Sequence, residues 1–278
     1  MATDTAADFD LGPLSWVQGE IDQAIARGLD ALAQFKANPG DDGALKHART
    51  HIHQAAGAIQ MVGLDAVVAF TDELERQLVR LESVPPAEVA KATDTVDRAC
   101  RKLRIFLDEL VKGVAPVPLK LFPEYEAMQL ARGVKAASPT ELFYPDLAPR
   151  PPKIAPKEAI PASRLPSYLV KQRRAYQRGL LAWLRGDPEG AKIMKEAVAG
   201  IEDAATQGTL RSFWWTVGAL FEALTGKGLD ASFGVKQLAA RIDLQIRRVV
   251  EGSAKAADRL RRELLYYVAI SAPIGPQV

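Results

Sequence analysis

The chain has 278 residues, 48% hydrophobic and 25% charged, with 36 Lys and Arg against 34 Asp and Glu. That composition describes one large globular domain or two of ordinary size, and it excludes disorder of the whole chain. A net charge of +2 lacks the concentrated basic face that nucleic-acid binding needs. Cys100 is the single cysteine, so no internal disulfide can form. The acidic start "MATDTAADFD" argues against a signal peptide, and no stretch approaches the roughly 18 apolar residues of a membrane span. The expectation is a cytoplasmic protein with no membrane insertion.

Helical periodicity dominates, and no stretch alternates at period two. A first helix is predicted over 13–36, with Pro13 in its first turn and an apolar face including Trp16, Ile21, Ile25, Leu29, Leu32 and Phe35. "NPGDDG" (38–43) breaks it, with Asp42 as N-cap of the next helix. Further helices are expected over 44–62, 64–81 and 87–112, punctuated by Gly63, "SVPP" and Gly113. Four helices with short joints predict an up-down bundle over residues 10–113.

Residues 114–166 read as a Pro-rich connector with a short helix at 123–133, since seven prolines fall between Pro145 and Pro166. Helical patterning returns at 167–185, 188–206, 209–225, 231–251 and 254–270, which makes 167–278 a second helical domain. The predicted fold class is all-α. "KQRRAYQR" (171–178) reads as a solvated helix face. "YQRGLLAWLRGDPEGAKIMKEAVAGIE" (176–202) is slightly similar to a tetratricopeptide helix pair, but no copy follows at a 34-residue period.

The second helix carries "HIHQAAGAIQMVG" (51–63). Leu45, Ala48, Ile52, Ala55, Ile59 and Val62 form its buried stripe, and His53 points about 130° away from the stripe's centre. Gly57 and Gln60 share the side of His53. Glycine inside a helix costs about 0.5–1 kcal/mol relative to alanine, so Gly57 reads as space left for a partner's backbone beside the imidazole. The resulting pattern is His-x3-Gly-x5-Gly: His53, Gly57, Gly63.

That pattern resembles the histidine phosphotransfer (Hpt) domain of two-component phosphorelays. The resemblance implies a four-helix bundle whose exposed histidine exchanges a phosphoryl group with an aspartate of a receiver domain. On that basis His53 is the candidate phosphoacceptor, with Gly57, Gln54, Gln60 and Arg49 as candidate docking residues. The usual pattern has lysine three residues after the histidine, to hold the phosphoryl group; here Ala56 stands there. "DLGPLSWVQGEIDQAI" (10–25), "HIHQAAGAIQMVGLDAVVAFTDELE" (51–75) and "LKLFPEYEAMQLARG" (119–133) together resemble the N-terminal region of the CheA-type hybrid histidine kinases of the type IV pilus system, PilL or ChpA. They also resemble the related FimL scaffolds, whose Hpt-like domains are degenerate. The resemblance implies a part in twitching motility and surface sensing, with a receiver-domain response regulator or pilus scaffold proteins as partners. It leaves open an amino-terminal kinase part and a scaffold that binds without chemistry.

Other signals are bland. Trp214 and Gly218 repeat the His-x3-Gly spacing with tryptophan in place of histidine, and Trp214 and Trp215 read first as core or interface anchors. His47 and His51 lie four apart without a third ligand, so no metal site is expected. Asp72 and Glu75 beside Arg76 and Arg80 read as a charge-paired solvated face. There is no Gly-rich phosphate loop, nucleophile elbow or ATP-binding box; the sequence predicts no autonomous enzyme and no cofactor.

Overall fold

A computed structural model describes residues 12–148, 151, 160–205, 208–253, 255–272 and 275. Residues 10 and 11, and residues 149, 150 and 152–159 of the proline run, lie outside the described residues. The chain divides into two units, Met1–Tyr144 and Pro145–Val278. The described residues contain α-helices and short 3-10 turns, with no strand. None of their helices is long and apolar enough to cross a membrane.

The first unit is built on α1 (Gly12–Ala37), α2 (Asp42–Val62), α3 (Asp65–Leu81) and α4 (Pro86–Val111). The helices close a ring in which α1 packs on α2 and α4, and α3 packs on the same two. The stops act as backbone chemistry demands. Asp41, not the expected Asp42, is the N-cap of α2: its carboxylate accepts from the Ala44 amide at 3.0 Å. Asp42 is the first helical residue and places its charge at the positive end of the helix. Gly63 ends α2 at φ +77°, a left-handed conformation that glycine adopts without a Cβ clash. Pro86 opens α4, where its missing N–H has no partner to lose.

Ile25, Ala48, Ile59, Phe70, Leu74 and Leu103 meet inside the ring. Trp16, expected on the inner face of α1, is 86% exposed, while Leu14 two residues earlier is fully buried. The chain after α4 does not leave this core. A 3-10 turn (Pro118–Leu121), α5 (Phe122–Ala131) and a second turn (Pro139–Glu141) bring Leu121, Tyr125, Met128 and Leu142 into the same cluster. The reason lies on α3, which turns two polar side chains inward. Gln77 donates to the Met128 carbonyl at 2.6 Å, and fully buried Glu73 accepts from Nε and Nη2 of Arg132 at 2.7 and 2.8 Å. Those groups need partners once buried, and the segment following α4 supplies them.

The second unit comprises α6 (Leu165–Leu184), α7 (Glu189–Ala204), α8 (Gly208–Thr225), α9 (Phe233–Val250) and α10 (Asp258–Ala269). They pack in a cycle: α6 on α7, α7 on α8, α8 on α10, α10 on α9, α9 on α6. Most of α8 is buried, including Phe213, Trp214, Val217, Leu220 and Phe221. Buried Tyr176 donates to the Ala239 carbonyl at 2.8 Å and meets Phe221 edge-on. At the α6–α7 crossing the backbones touch. A Cβ on Gly179 would lie 2.7 Å from the Gly190 carbonyl oxygen, so only glycine fits. The Ser232 hydroxyl caps α9 by accepting from the Val235 amide.

Candidate functional site: the outer face of the second helix

The buried stripe of α2 is Leu45, Ala48, Ile52, Ala55 and Ile59. With that side fixed in the core, His53 is held outward, its side chain 80% exposed. The His53 ring has a partner on the neighbouring helix. Its Nδ1 lies 2.7 Å from a Glu75 carboxylate oxygen on α3. An ionised carboxylate only accepts hydrogen bonds, so Nδ1 carries the proton. The neutral ring then presents Nε2, with its lone pair, to solvent. That is the form a nucleophilic imidazole needs.

Gly57 lies one turn further along the same side, and a Cβ built on it would meet nothing within 4 Å. The glycine therefore answers no packing need inside the unit and leaves open surface beside His53. Gln60 is exposed on that side, and Met61 next to it is 80% exposed. Gln54 is exposed too, with its side-chain oxygen 3.2 Å from His51 Nδ1. Arg49, one turn before His53, is ion-paired to Glu82 at the far end of α3. It straps α2 to α3, alongside the His53–Glu75 pair. Ala56 carries no charge where the Hpt pattern has lysine. Arg76 and Arg80 share an open groove with Glu75, together with Asp72, Val79, Ser83 and Arg132. Of these, Arg76 is already shared between Asp72 and buried Glu73.

The structure thus brings His53, Gly57, Gln54 and Gln60 to one face, and ties Arg49 into the α2–α3 contact. Two residues of this face escaped the sequence reading. Glu75 read as part of a solvated, charge-paired face, yet it is the group that orients His53. The available signal was symmetry about the turn, because His53 and Glu75 each stand eleven residues from Leu64. In an antiparallel helix pair such positions lie at one level. Met61 gave no signal beyond its hydrophobicity.

The second-unit echo fails on burial. Trp214 is fully buried with Phe213 edge-on against it, 5.0 Å between ring centroids. The position aligned with His53 is therefore core in this unit and offers no surface. Among the described residues no group of three or more His, Cys, Asp or Glu side chains could hold a metal ion.

Comparison with known proteins adds the family context. Residues 161–278 match the family model of the FimL scaffold protein second domain. The chain is 28% identical over 273 residues, 95% of its length, to "Scaffold protein FimL" of Pseudomonas aeruginosa. It spans about half the length of that relative, 48%. No solved structure matches the chain. The chain is related to the FimL scaffold.

Proposed function

We propose that the chain is a FimL-like scaffold of the type IV pilus chemosensory system that governs twitching motility. Its first unit docks a receiver-domain response regulator, or another protein of that system, on the α2 face around His53. The observation that carries this reading is the pairing of an outward, oriented His53 with open space over Gly57. A helix surface with no Cβ at its centre and exposed Met61 at its edge lets a partner backbone approach closely. Kinship with a protein named as a scaffold favours docking over membership of a kinase.

Titration calorimetry of the full chain with a receiver domain of a type IV pilus system tests this. Binding is expected on the order of 1 μM, about −8 kcal/mol. Gly57→Gln is expected to abolish it while the helical circular dichroism stays intact. Unchanged binding by that variant places docking elsewhere on the chain.

A second reading, that His53 accepts a phosphoryl group, is supported by Glu75. In that step Nε2 forms a bond to phosphorus while the bond to the aspartyl oxygen of the receiver breaks, which returns a free carboxylate. Glu75 stabilises the imidazolium character that develops. No ammonium at position 56 helps hold the phosphoryl oxygens. Incubation with a phosphorylated receiver, with His53→Gln as control, tests it. Acid-labile, base-stable label on the parent chain and none on the variant establishes the relay. Absence of label, with a donor active on another Hpt domain, removes the relay and leaves the docking reading standing.

A further inference from the structure

The helix α6 has a composition unlike any other in the chain. Its twenty residues hold Lys171, Arg173, Arg174 and Arg178 and no acidic residue. Among the described residues one of the four cations has an acidic partner: Arg173 turns inward and pairs with Asp243 on α9 at 3.2 Å. Lys171, Arg174 and Arg178 stand on the outer face, exposed, with no ion pair among the described residues. Exposed Arg101 and Arg247 each pair with an acidic neighbour four residues away on or at the end of their own helix, and α6 has no acidic residue to offer. Like charges three and four residues apart on a helix repel each other and destabilise it. The stripe therefore awaits compensation from outside. Residues 145–278 as a whole carry 21 basic against 13 acidic residues, so the surrounding field does not supply it.

The three cations line a shallow groove with Pro166, Ser167 and Val170. One turn beyond Arg178, Leu181 continues the same face at 54% exposure. We infer that this groove of α6 is a docking surface for an acidic amphipathic helix of a partner protein. Its carboxylates would meet Lys171, Arg174 and Arg178, and its apolar side would cover Val170 and Leu181. The leucine and valine decide against nucleic acid, since a phosphate backbone offers them nothing and the face presents no exposed aromatic ring for base stacking. A bilayer surface fits less well, because an interfacial helix needs a broad apolar face with bulky anchors. The surface lies in the second unit and does not depend on the His53 reading.

The test measures fluorescence anisotropy of the full chain with four labelled probes at one ionic strength. These are a helical peptide of about 20 residues with leucine at three- and four-residue steps and glutamate elsewhere, polyglutamate of equal charge, a DNA duplex, and phosphatidylserine–phosphatidylcholine vesicles. The amphipathic peptide is expected to bind at least about tenfold tighter than polyglutamate. Lys171→Glu, Arg174→Glu and Arg178→Glu together should weaken it about 100-fold, and Leu181→Ser about tenfold. If the triple reversal does not fold, the triple glutamine variant, with an intermediate loss, carries the same test. Equal affinity for polyglutamate, tighter binding of DNA or vesicles, or unchanged binding by the folded variants overturns the proposal. So does a dimer in sedimentation that the triple variant dissolves, which would make a second copy the occupant.

Discussion

His53 on α2 and Glu75 on α3 form a pair at 2.7 Å, in which the carboxylate fixes one imidazole nitrogen and leaves the other to solvent. The pair is largely exposed, and exposed ion pairs contribute about 0–1 kcal/mol to stability. Its consequence is orientation rather than strength. Glu75→Gln is therefore expected to leave the urea midpoint nearly unchanged. It should slow labelling of His53 by a phosphorylated receiver at least about tenfold if the histidine is a relay, because the amide does not stabilise imidazolium. Equal labelling rates for the two chains would deny Glu75 that role.

Gly57→Ala separates folding from function at the same face. Nothing lies within 4 Å of the added Cβ, so the substitution brings only the better helix propensity of alanine. Stability is expected to rise by about 0.5–1 kcal/mol, read as a higher urea midpoint. Binding of a partner whose backbone seats over Gly57 should weaken. A destabilised variant would mean that the glycine serves packing within the unit.

The opposite outcome is expected at Gly190. A Cβ there would collide with backbone of α6, the Gly179 carbonyl and the Trp183 amide. The two helices would have to separate along a crossing that also buries Met194 and Trp183. Gly190→Ala should cost about 3 kcal/mol or more, read as a fall in the urea midpoint of the second unit. A midpoint within error of the parent chain would show that the crossing relaxes freely.

How much of this was legible follows from which forces are local. Helix positions come from apolar spacing and from Pro and Gly stops, so α1 through α9 lie within a few residues of the expected spans. α10 starts at Asp258 instead of 254 because Ala257 is extended, and residue 254 lies outside the described residues. The exposed setting of His53 was legible for the same reason. Glu75 was not, because its role depends on two helices meeting. Nor was the attachment of α5, which rests on Glu73 and Gln77 facing inward, against the pattern that places charge outside. Trp16 failed in the other direction, since its spacing fits the stripe but it ends up exposed.

Glu73 gives a prediction of its own. It is fully buried and accepts from Arg132, Gln77 and, at 3.4 Å, Arg76. Removing one member of a buried ion pair leaves an uncompensated charge, which costs about 3–5 kcal/mol; replacing both by apolar groups is often neutral. Arg132→Met is expected to be strongly destabilising and Glu73→Leu/Arg132→Met close to the parent chain, measured by urea unfolding. Additive losses in the double variant would show that the pair is not what holds α5 to α3.

Cys100 sets the behaviour at high pH. Burial among Ala99, Leu103 and the rest of the first core pushes its thiol up to about 12, with the nearby Asp97 charge adding to the effect. The thiol keeps its proton in the folded state and loses it near its ordinary value when unfolded. The associated stability is therefore intact below about pH 9 and is lost as pH rises toward 12, by up to about 1.4 kcal/mol per unit. Two measurements follow. A thiol reagent at pH 8 should label Cys100 only at the rate of opening of the bundle, rising sharply in urea. Between pH 8 and pH 10, Cys100→Ala should lose less stability than the parent chain, even though burial also raises Tyr125 and Tyr176 in both. Rapid labelling of the folded chain, or parallel pH dependence in the two proteins, would show that the thiol reaches solvent in the native state.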